Sequence, residues 1–488
     1  MRTPLDTQYV TPEQFGAKGD GATNDTAALA LMAAYLVVNG GVAEFRAGAT
    51  YVASDQVART AKPYHPKYSW QPIDGLVFKN ATKPIYLNGN GCKLIPQAGY
   101  KYGTFDPAGK PTSHRLPYWA SSGQNDVASP FEALIWFHNC AFARVDGFNF
   151  DGLLSSAVLG GPYGDVGWQI PASAMKFSDT KDWRAVNCKG WQFPLDGILV
   201  DDPIPSDRKP SGNGTTDCEF WECGRQGISL VGGFGNVFLR TKCYRIAKNT
   251  GRIVSPPGAG INLEPEGARV CHHIRFVDCE VSDNAGPGFL DAVGARTLDV
   301  IWTGGKLVGT SAAPMYFSGG RRIVFCNVLI LGAVDTFKGN ALPYGRGGEE
   351  FGNCYWTNDP TRSPTGYVYD SGGNKLAANA ASGNYFWRCT FENAVARASA
   401  NGNTNGPIYD ACTILAKAGA LAMYGKFRGG TEIIERVANG VQAVPGGFSP
   451  YIHAGDAESD FYVTTLTGGR RRYPATVSGL SSYRKTTC

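Results

Sequence analysis

VNCKGWQFPLDGILV (186–200), TDCEFWECGRQGISLV (216–231), TKCYRIAKNTGRIVSPPGAGINLE (241–264) and VDCEVSDNAGPGFLDAV (277–293) are four versions of one phrase. Each opens on a short strand carrying Cys at one place, passes a turn rich in Asn, Asp and Gly, and enters a second strand of the form Gly-apolar-x-apolar. The marks at Cys188, Cys218, Cys243 and Cys279 set a period of 25 to 36 residues. A period in that range, with short strands and no helix, specifies a solenoid and not a packed sandwich. Weaker copies flank the array, LIWFHNCAFARVDGFNFDG (134–152) before it and RRIVFCNVLILG (321–332) after it. The reading is an all-β chain built as a parallel β-helix.

Strand alternation then decides which side chains enter the core. Ile198, Val200, Ile228, Leu230, Ile261 and Leu263 point inward; Leu199, Asp201, Ser229, Val231, Asn262 and Glu264 point outward from one shared face. Neighbouring coils lie about 4.8 Å apart, so the outward residues form a long shallow surface on which an extended polymer can lie. The fourth unit departs from the rule, because Asp291 stands where Leu263 would be. Either the register slips there or a carboxylate is held close to the core.

The totals suit this reading. Among 488 residues there are 63 Gly, 12% aromatics and only 18% charged side chains. That is a turn-dense, ordered β protein. A net charge of +5 with one basic run, Arg470–Arg471–Arg472, lacks the charge density of a nucleic-acid binder and reads as a solvated loop. Thirteen Cys, several recurring at one coil position, are explained as an interior ladder of small apolar side chains formed in a reducing cytoplasm. Cys271-His272-His273 and Cys218-x4-Cys223 lack a second pair at zinc spacing, so no metal and no cofactor is expected. No stretch is long and apolar enough to insert in a membrane, and the N-terminus lacks a signal peptide's apolar core.

The first 60 residues read as a cap. Asn24, Asp25 or Thr26 can start a helix over roughly 26–38, stopped by Asn39-Gly40-Gly41, and its apolar face would plug the open end of the solenoid. Within this cap, FGAKGDGATNDTAAL (15–29) followed by AEFRAGATY (43–51) resembles the opening of the pectate-lyase-like superfamily of right-handed parallel β-helices. That family reads FGAKGDGxTDDTxAI and VYFPAGTY; here Asn24 replaces the first Asp and Arg46 replaces the Pro. With the repeats, the resemblance covers about residues 10–340, and it is greatest to bacteriophage tailspikes that bind and cut bacterial surface polysaccharide. It implies a homotrimer, folded in the host cytoplasm and carried on a virion tail. There it would act at the bacterial cell surface with a tail or baseplate protein as partner. The expected organisation is a cap over 1–60, a β-helix with loop insertions over 61–345, and a β-rich region over 346–488 that helps three chains associate.

For chemistry, the densest outward polar cluster is GAGINLEPEGAR (258–269). Glu264 and Glu266 are the expected catalytic pair, with Asp201 third and Asp196 and Asp291 as alternatives, Asp196 having a turn role that alone would explain it. Two carboxylates near one glycosidic bond are the minimum set for hydrolysis, one protonating the leaving oxygen while the other activates water or attacks. Trp221, Arg225, Asp291 and Trp168 are the expected substrate contacts, because sugar faces stack on indoles while hydroxyls and acidic groups need polar partners. Trp191 reads as a core corner. Two rivals stand. A lyase on uronic-acid glycan would draw its base from Arg225, Lys248, Arg252, His272 or His273. A glycan-binding adhesin would use the same groove without cutting.

Overall fold

The computed structural model describes residues 8–60, 68–105, 108–111, 127–128, 131–160, 172–203, 209–248, 253–332, 335–336, 349–368, 385–394, 408–417, 426–436, 461–465 and 469–473. The chain divides into two compact units, Met1–Ile261 and Asn262–Cys488. Both are built as a right-handed parallel β-helix, each coil supplying strands to three faces.

In the first unit, one face stacks Gly41–Glu44, Ile85–Asn88, Ala143–Asp146, Trp183–Val186, Gly214–Thr216 and Val237–Leu239, all parallel. A second stacks Thr50–Thr60, Lys93–Pro96, Asn149–Asp151, Lys189–Trp191, Glu219–Trp221 and Lys242–Tyr244. The third stacks Leu76–Lys79, Ala133–His138, Ser173–Ser178, Asp196–Asp201 and Gln226–Phe234. Exact stacking puts like on like inside. Phe137 lies flat between Phe78 and Phe177, centroids 4.4 and 5.8 Å away, and Phe177 stacks on Trp183 at 4.1 Å.

The corner from first to second face explains the repeated Cys. One residue turns left-handed there, where Asn and Asp are best tolerated, and the next points inward. Asn187, Asp217, Asp278 and Asn353 have φ of 51°, 54°, 50° and 52°, and Cys188, Cys218, Cys279 and Cys354 follow them. Each thiol meets the carbonyl two residues back, as Cys188 Sγ does with Val186 at 3.2 Å. Cys243 is not in this series. Cys243 pairs with Phe220 in the strand, so the corner position is Thr241, whose hydroxyl makes the same bond to Leu239 at 3.4 Å. Among the described residues, eleven cysteines are buried thiols, as the ladder reading expects; Cys326 departs from it, being disulfide-bonded.

The cap helix runs Thr26–Asn39 and ends on Gly40 and Gly41, both with positive φ. Asp25 precedes it, but its carboxylate does not cap the helix. It folds back to accept the Lys18 and Gly19 amides at 2.6 and 3.2 Å, tying down the FGAKGDG turn. Arg46, standing where the resembled motif has Pro, donates to the Lys18 carbonyl at 2.7 Å and closes the same turn. Leu29, Met32, Ala33 and Leu36 are buried, while Leu31 and Val38 are more than 60% exposed on the opposite side.

In the second unit the first face runs Arg275–Val277, Thr297–Thr303, Arg321–Cys326, Glu350–Gly352, Tyr385–Trp387, Ile408–Asp410 and Lys426–Arg428. Coiling expected to stop near residue 345 therefore carries on, with Glu432–Arg436 and Phe461–Thr465 still pairing parallel on the second face. Periodicity hid this because the coils differ widely in length. Phe276, Trp302, Phe325, Phe351, Phe386 and Tyr409 form one inward aromatic column through six successive rungs. The Arg470–Arg472 run is a strand, Gly469–Tyr473, antiparallel to Phe461–Thr465, with the Arg470 guanidinium 3.8 Å from the Tyr462 ring centroid and its Nε 3.3 Å from Glu432. It is not a loop. No helix among the described residues is long and apolar enough to cross a membrane.

Asp291 settles the question posed by its sequence position. The register holds, with Asp291 opposite Phe317, so the carboxylate lies inside the coil, fully buried. Its Oδ2 accepts the Gly320 amide at 2.8 Å. Buried Glu349 feels its charge: desolvation first, then Asp291, push the Glu349 carboxyl up to about 8. The folded chain therefore holds a proton on Glu349 that the unfolded chain has lost. Stability from this group is full below the usual carboxylate range and declines as pH rises towards 8. Thermal melting of Glu349→Gln is expected to lose the part of that decline which the parent chain shows between pH 5 and 8.

Candidate functional site

On the third face of the first unit, the outward residues form two columns. One runs Val77, Trp136, Lys176, Leu199, Ser229; the other runs Lys79, His138, Ser178, Asp201. Trp136 is the centre. Lys79 Nζ lies 4.5 Å and Lys176 Nζ 5.2 Å from its ring centroid, and its indole N–H donates to Ser178 Oγ at 3.1 Å. His138 sits 5.7 Å from the indole, its Nδ1 buried and without a hydrogen-bond partner.

Two carboxyls stand at the entry of this face on successive coils: Asp74, just before Leu76–Lys79, and Glu132, just before Ala133–His138. Lys176 Nζ binds Glu132 Oε2 at 2.7 Å. Asp74 is pushed up to about 6, chiefly by burial and then by the Glu132 charge; a Ser54 hydrogen bond and the Lys79 ammonium act against this. One acid thus holds its proton towards neutrality while its neighbour is ion-paired. Sequence reading missed both, because the coils carrying them are separated by a long insertion and no period connects them. The usable signal was local: DGLVFK (74–79) and EALIWFH (132–138) each place an acid before an alternating strand that carries an inward Phe.

Asp201 lies on this face, half-buried, in register with Ser178. A bulge precedes it: the register shifts between Val200 and Asp201, so Asp201 pairs with Gly232, which displaces Val231 from the outward row where alternation puts it. Ser229 has outward parity but is fully buried, because the Arg225 guanidinium reaches its Oγ at 3.3 Å. Arg225 also grips Asp196 through Nε at 3.0 Å and a second nitrogen at 2.5 Å. Burial pushes the Asp196 carboxyl up, and the guanidinium opposes it. With both partners buried, this pair is internal structure and not a clamp for substrate on the surface. Neighbouring Asp202 is pushed up to about 7 by burial, against hydrogen bonds from Asn236, Asn213 and Trp183 at 2.7, 3.1 and 2.7 Å.

The expected stacking residue Trp221 belongs to the second face. Its ring lies between Trp191 at 4.8 Å and Tyr244 at 5.7 Å, nearly parallel to both, so each indole face is already covered. Trp191 joins this half-buried outer ladder and does not sit in a core corner. Asp291, inside its coil, is withdrawn from any surface ligand. Trp168 and Arg252 lie outside the described residues. Lys248 is half-buried.

Glu264 and Glu266 belong to the second unit, on the turn after strand Ala259–Leu263. Glu264 is half-buried and accepts the Asn262 amide at 2.9 Å; Asn262 is itself fully buried, against the outward exposure expected of it. Glu266 is exposed, its carbonyl closing the turn to the Arg269 amide at 2.9 Å. In the same unit, His273 Nδ1 lies 3.4 Å from Asp299. Among the described residues, no group of three His, Cys, Asp or Glu side chains could hold a metal ion.

No family model and no curated protein matches the chain. Solved structures do. The A-module of the Azotobacter vinelandii mannuronan C-5 epimerase AlgE4 aligns at TM-score 0.44 and 14% identity, over 91% of this chain and 99% of that one. PfbA, a surface adhesin of Streptococcus pneumoniae, aligns at 0.40 and 10%, over 97% and 95%. The Dettilon tailspike protein aligns at 0.39 and 11%, over 93% and 68%. The fold itself rests on the strand registers given above.

Replacing Arg225 with Met is expected to destabilise the first unit by about 3–5 kcal/mol, since it strands a buried carboxylate. Pairing it with Asp196→Leu should recover most of that loss, read from urea denaturation midpoints.

Proposed function

We propose that the chain is a polysaccharide-acting enzyme, an endo-acting glycoside hydrolase working on the third face of its first unit. Asp74 is the general acid, and Glu132 is the carboxylate that activates water or attacks the anomeric carbon. The observation carrying this reading is the unequal setting of the two acids. Asp74 is desolvated and pushed up to about 6 beside Glu132, which is ion-paired with Lys176 at 2.7 Å. Pairs of carboxyls whose surroundings separate their protonation are how acid and base roles are divided at one bond. Trp136 and His138 border the same strip, and Asp201 lies along it as a hydroxyl acceptor. The substrate we propose is a bacterial capsule, exopolysaccharide or O-antigen, cut by a trimeric phage tailspike. The resemblance of FGAKGDGATNDTAAL (15–29) to the opening of that family supports this assignment.

The Glu264–Glu266 pair is the second reading, favoured by the buried Asn262 amide that orients Glu264. Masses of fragments released from a panel of bacterial surface polysaccharides decide the chemistry. Hydrolysis adds one water to each cut, a lyase leaves a new double bond, and an adhesin binds the intact polymer. Asp74→Asn and Glu132→Gln are each expected to lower kcat at least ~10²-fold while binding persists. Loss with Glu264→Gln instead would move the site to the second unit. The kcat/KM of the parent chain should fall as pH rises through about 6, where Asp74 gives up its proton.

A further inference from the structure

On the first face of the first unit, one outward column runs Tyr86, Arg144, Arg184 and Gly214 on successive coils. Tyr86 packs against Phe142, ring centroids 5.0 Å apart, and both rings are half-buried. Arg144 and Arg184 are direct partners in the ladder, on strands about 4.8 Å apart, where like charges weaken a sheet. The carboxylates at hand do not relieve this. Asp146 spends Oδ2 on Arg144 at 3.3 Å and Oδ1 on Asn187 at 3.4 Å. Asp182, two residues before Arg184, is exposed and forms no ion pair with it. Arg184 is half-buried, yet its guanidinium makes no hydrogen bond and no ion pair among the described residues. Burial pulls that guanidinium down from its usual value; Asp182 opposes this, and Arg144 adds to it. The side chain lies against the next coil, where a Cβ on Gly212 would come within 3.1 Å of its Nη2. The fold thus makes room for a charge that it does not neutralise.

We propose that Arg144 and Arg184 form an oxyanion-binding site on the first face, with Arg184 supplying the open donors. A guanidinium presents a planar fork of N–H groups that matches the oxygens of a carboxylate, phosphate or sulfate. A bound oxyanion supplies the partner that Arg184 lacks and offsets the repulsion between the two arginines. Tyr86 and Phe142, next along the same column, offer ring surface of the kind on which sugar faces stack. These neighbours favour an acidic substituent on a polysaccharide strand lying along the coils. That source rests on the polysaccharide-acting reading; the site itself does not depend on where, or whether, the strand is cut.

The test uses the full chain and its Arg184→Gln and Arg184→Lys variants, Lys keeping the charge without the fork in case Gln disturbs the fold. Thermal melting is run in sodium sulfate and in sodium chloride at equal ionic strength. In chloride, Arg184→Gln is expected to melt at or above the parent temperature, because it removes an unpartnered charge. Sulfate stabilises folded chains in general by exclusion, and that part is common to all three proteins. The parent is expected to gain a further rise in Tm that Arg184→Gln lacks. Dissociation constants are then measured for acidic bacterial surface polysaccharides before and after reduction of their carboxyl groups to alcohols. Reduction should weaken binding to the parent by at least about 10-fold, and Arg184→Gln should lose most of that difference. A sulfate effect that needs Arg184, without any preference for the acidic polymer, keeps the site and assigns it to a free anion. If sulfate stabilises the parent and both variants alike, and reduction weakens all three alike, the site is overturned. It is overturned too if Arg184→Gln dissociates an oligomer in sedimentation, since the guanidinium then belongs to a contact between copies of the chain. Cleavage by Asp74→Asn and Glu132→Gln bears on the hydrolase reading alone, so the two proposals can fail separately.

Discussion

Every coil of this chain must lie on its neighbour in register, and most of what is seen within each unit follows from that one requirement. A side chain that points inward meets its equivalents directly above and below. Only sets that pack on themselves survive there: flat aromatic stacks such as Phe78–Phe137–Phe177 and Trp302–Phe325–Phe351. The corners obey the same rule. A left-handed residue followed by a small side chain with a hydrogen to donate recurs at several corners where first face meets second, and Cys and Thr both meet the need.

Polar groups inside the coil survive by substituting for backbone partners at corners. Asp202 collects three side-chain N–H groups, and Asp291 collects the Gly320 amide. Outside, stacking imposes an electrostatic grammar: equivalent positions on adjacent coils are close enough that like charges repel, and opposite ones settle into pairs such as Arg240 with Asp217 and Arg245 with Glu222. A place where one carboxyl raises another is then conspicuous, and Asp74, pushed up by burial and then by the Glu132 charge, is such a place.

The fold was legible because its signal is a repeat, and alternation alone located Ile198, Val200, Ile228 and Leu230 in the core. Register was legible only to within a residue or two: Cys243 was matched to the wrong rung, and the bulge after Val200 displaced Val231. The continuation past residue 345 was hidden by coils of unequal length. Function was harder to read, since outward parity does not guarantee exposure. Ser229 and Asn262 are covered, Arg225 is spent on Asp196, and Trp221 is spent on its ring neighbours. Asp74 and Glu132 belong together only through a pairing that spans a long insertion, and neither composition nor spacing reports such a pairing.

The parallel ladders also determine how such a chain can be assembled in time. Within each unit nearly every rung joins residues one turn apart, as Met175 with Ile198 or Val324 with Glu350. Sequence separations are therefore short for the length of the chain, and ordering can spread from any finished coil to the next without a distant partner. An insertion between coils lengthens one closure and leaves the others as they were, at a cost that grows only logarithmically with its length. Large loops can thus be gained, lost or exchanged at the rim of the face while the ladder that carries them continues to grow in the same way.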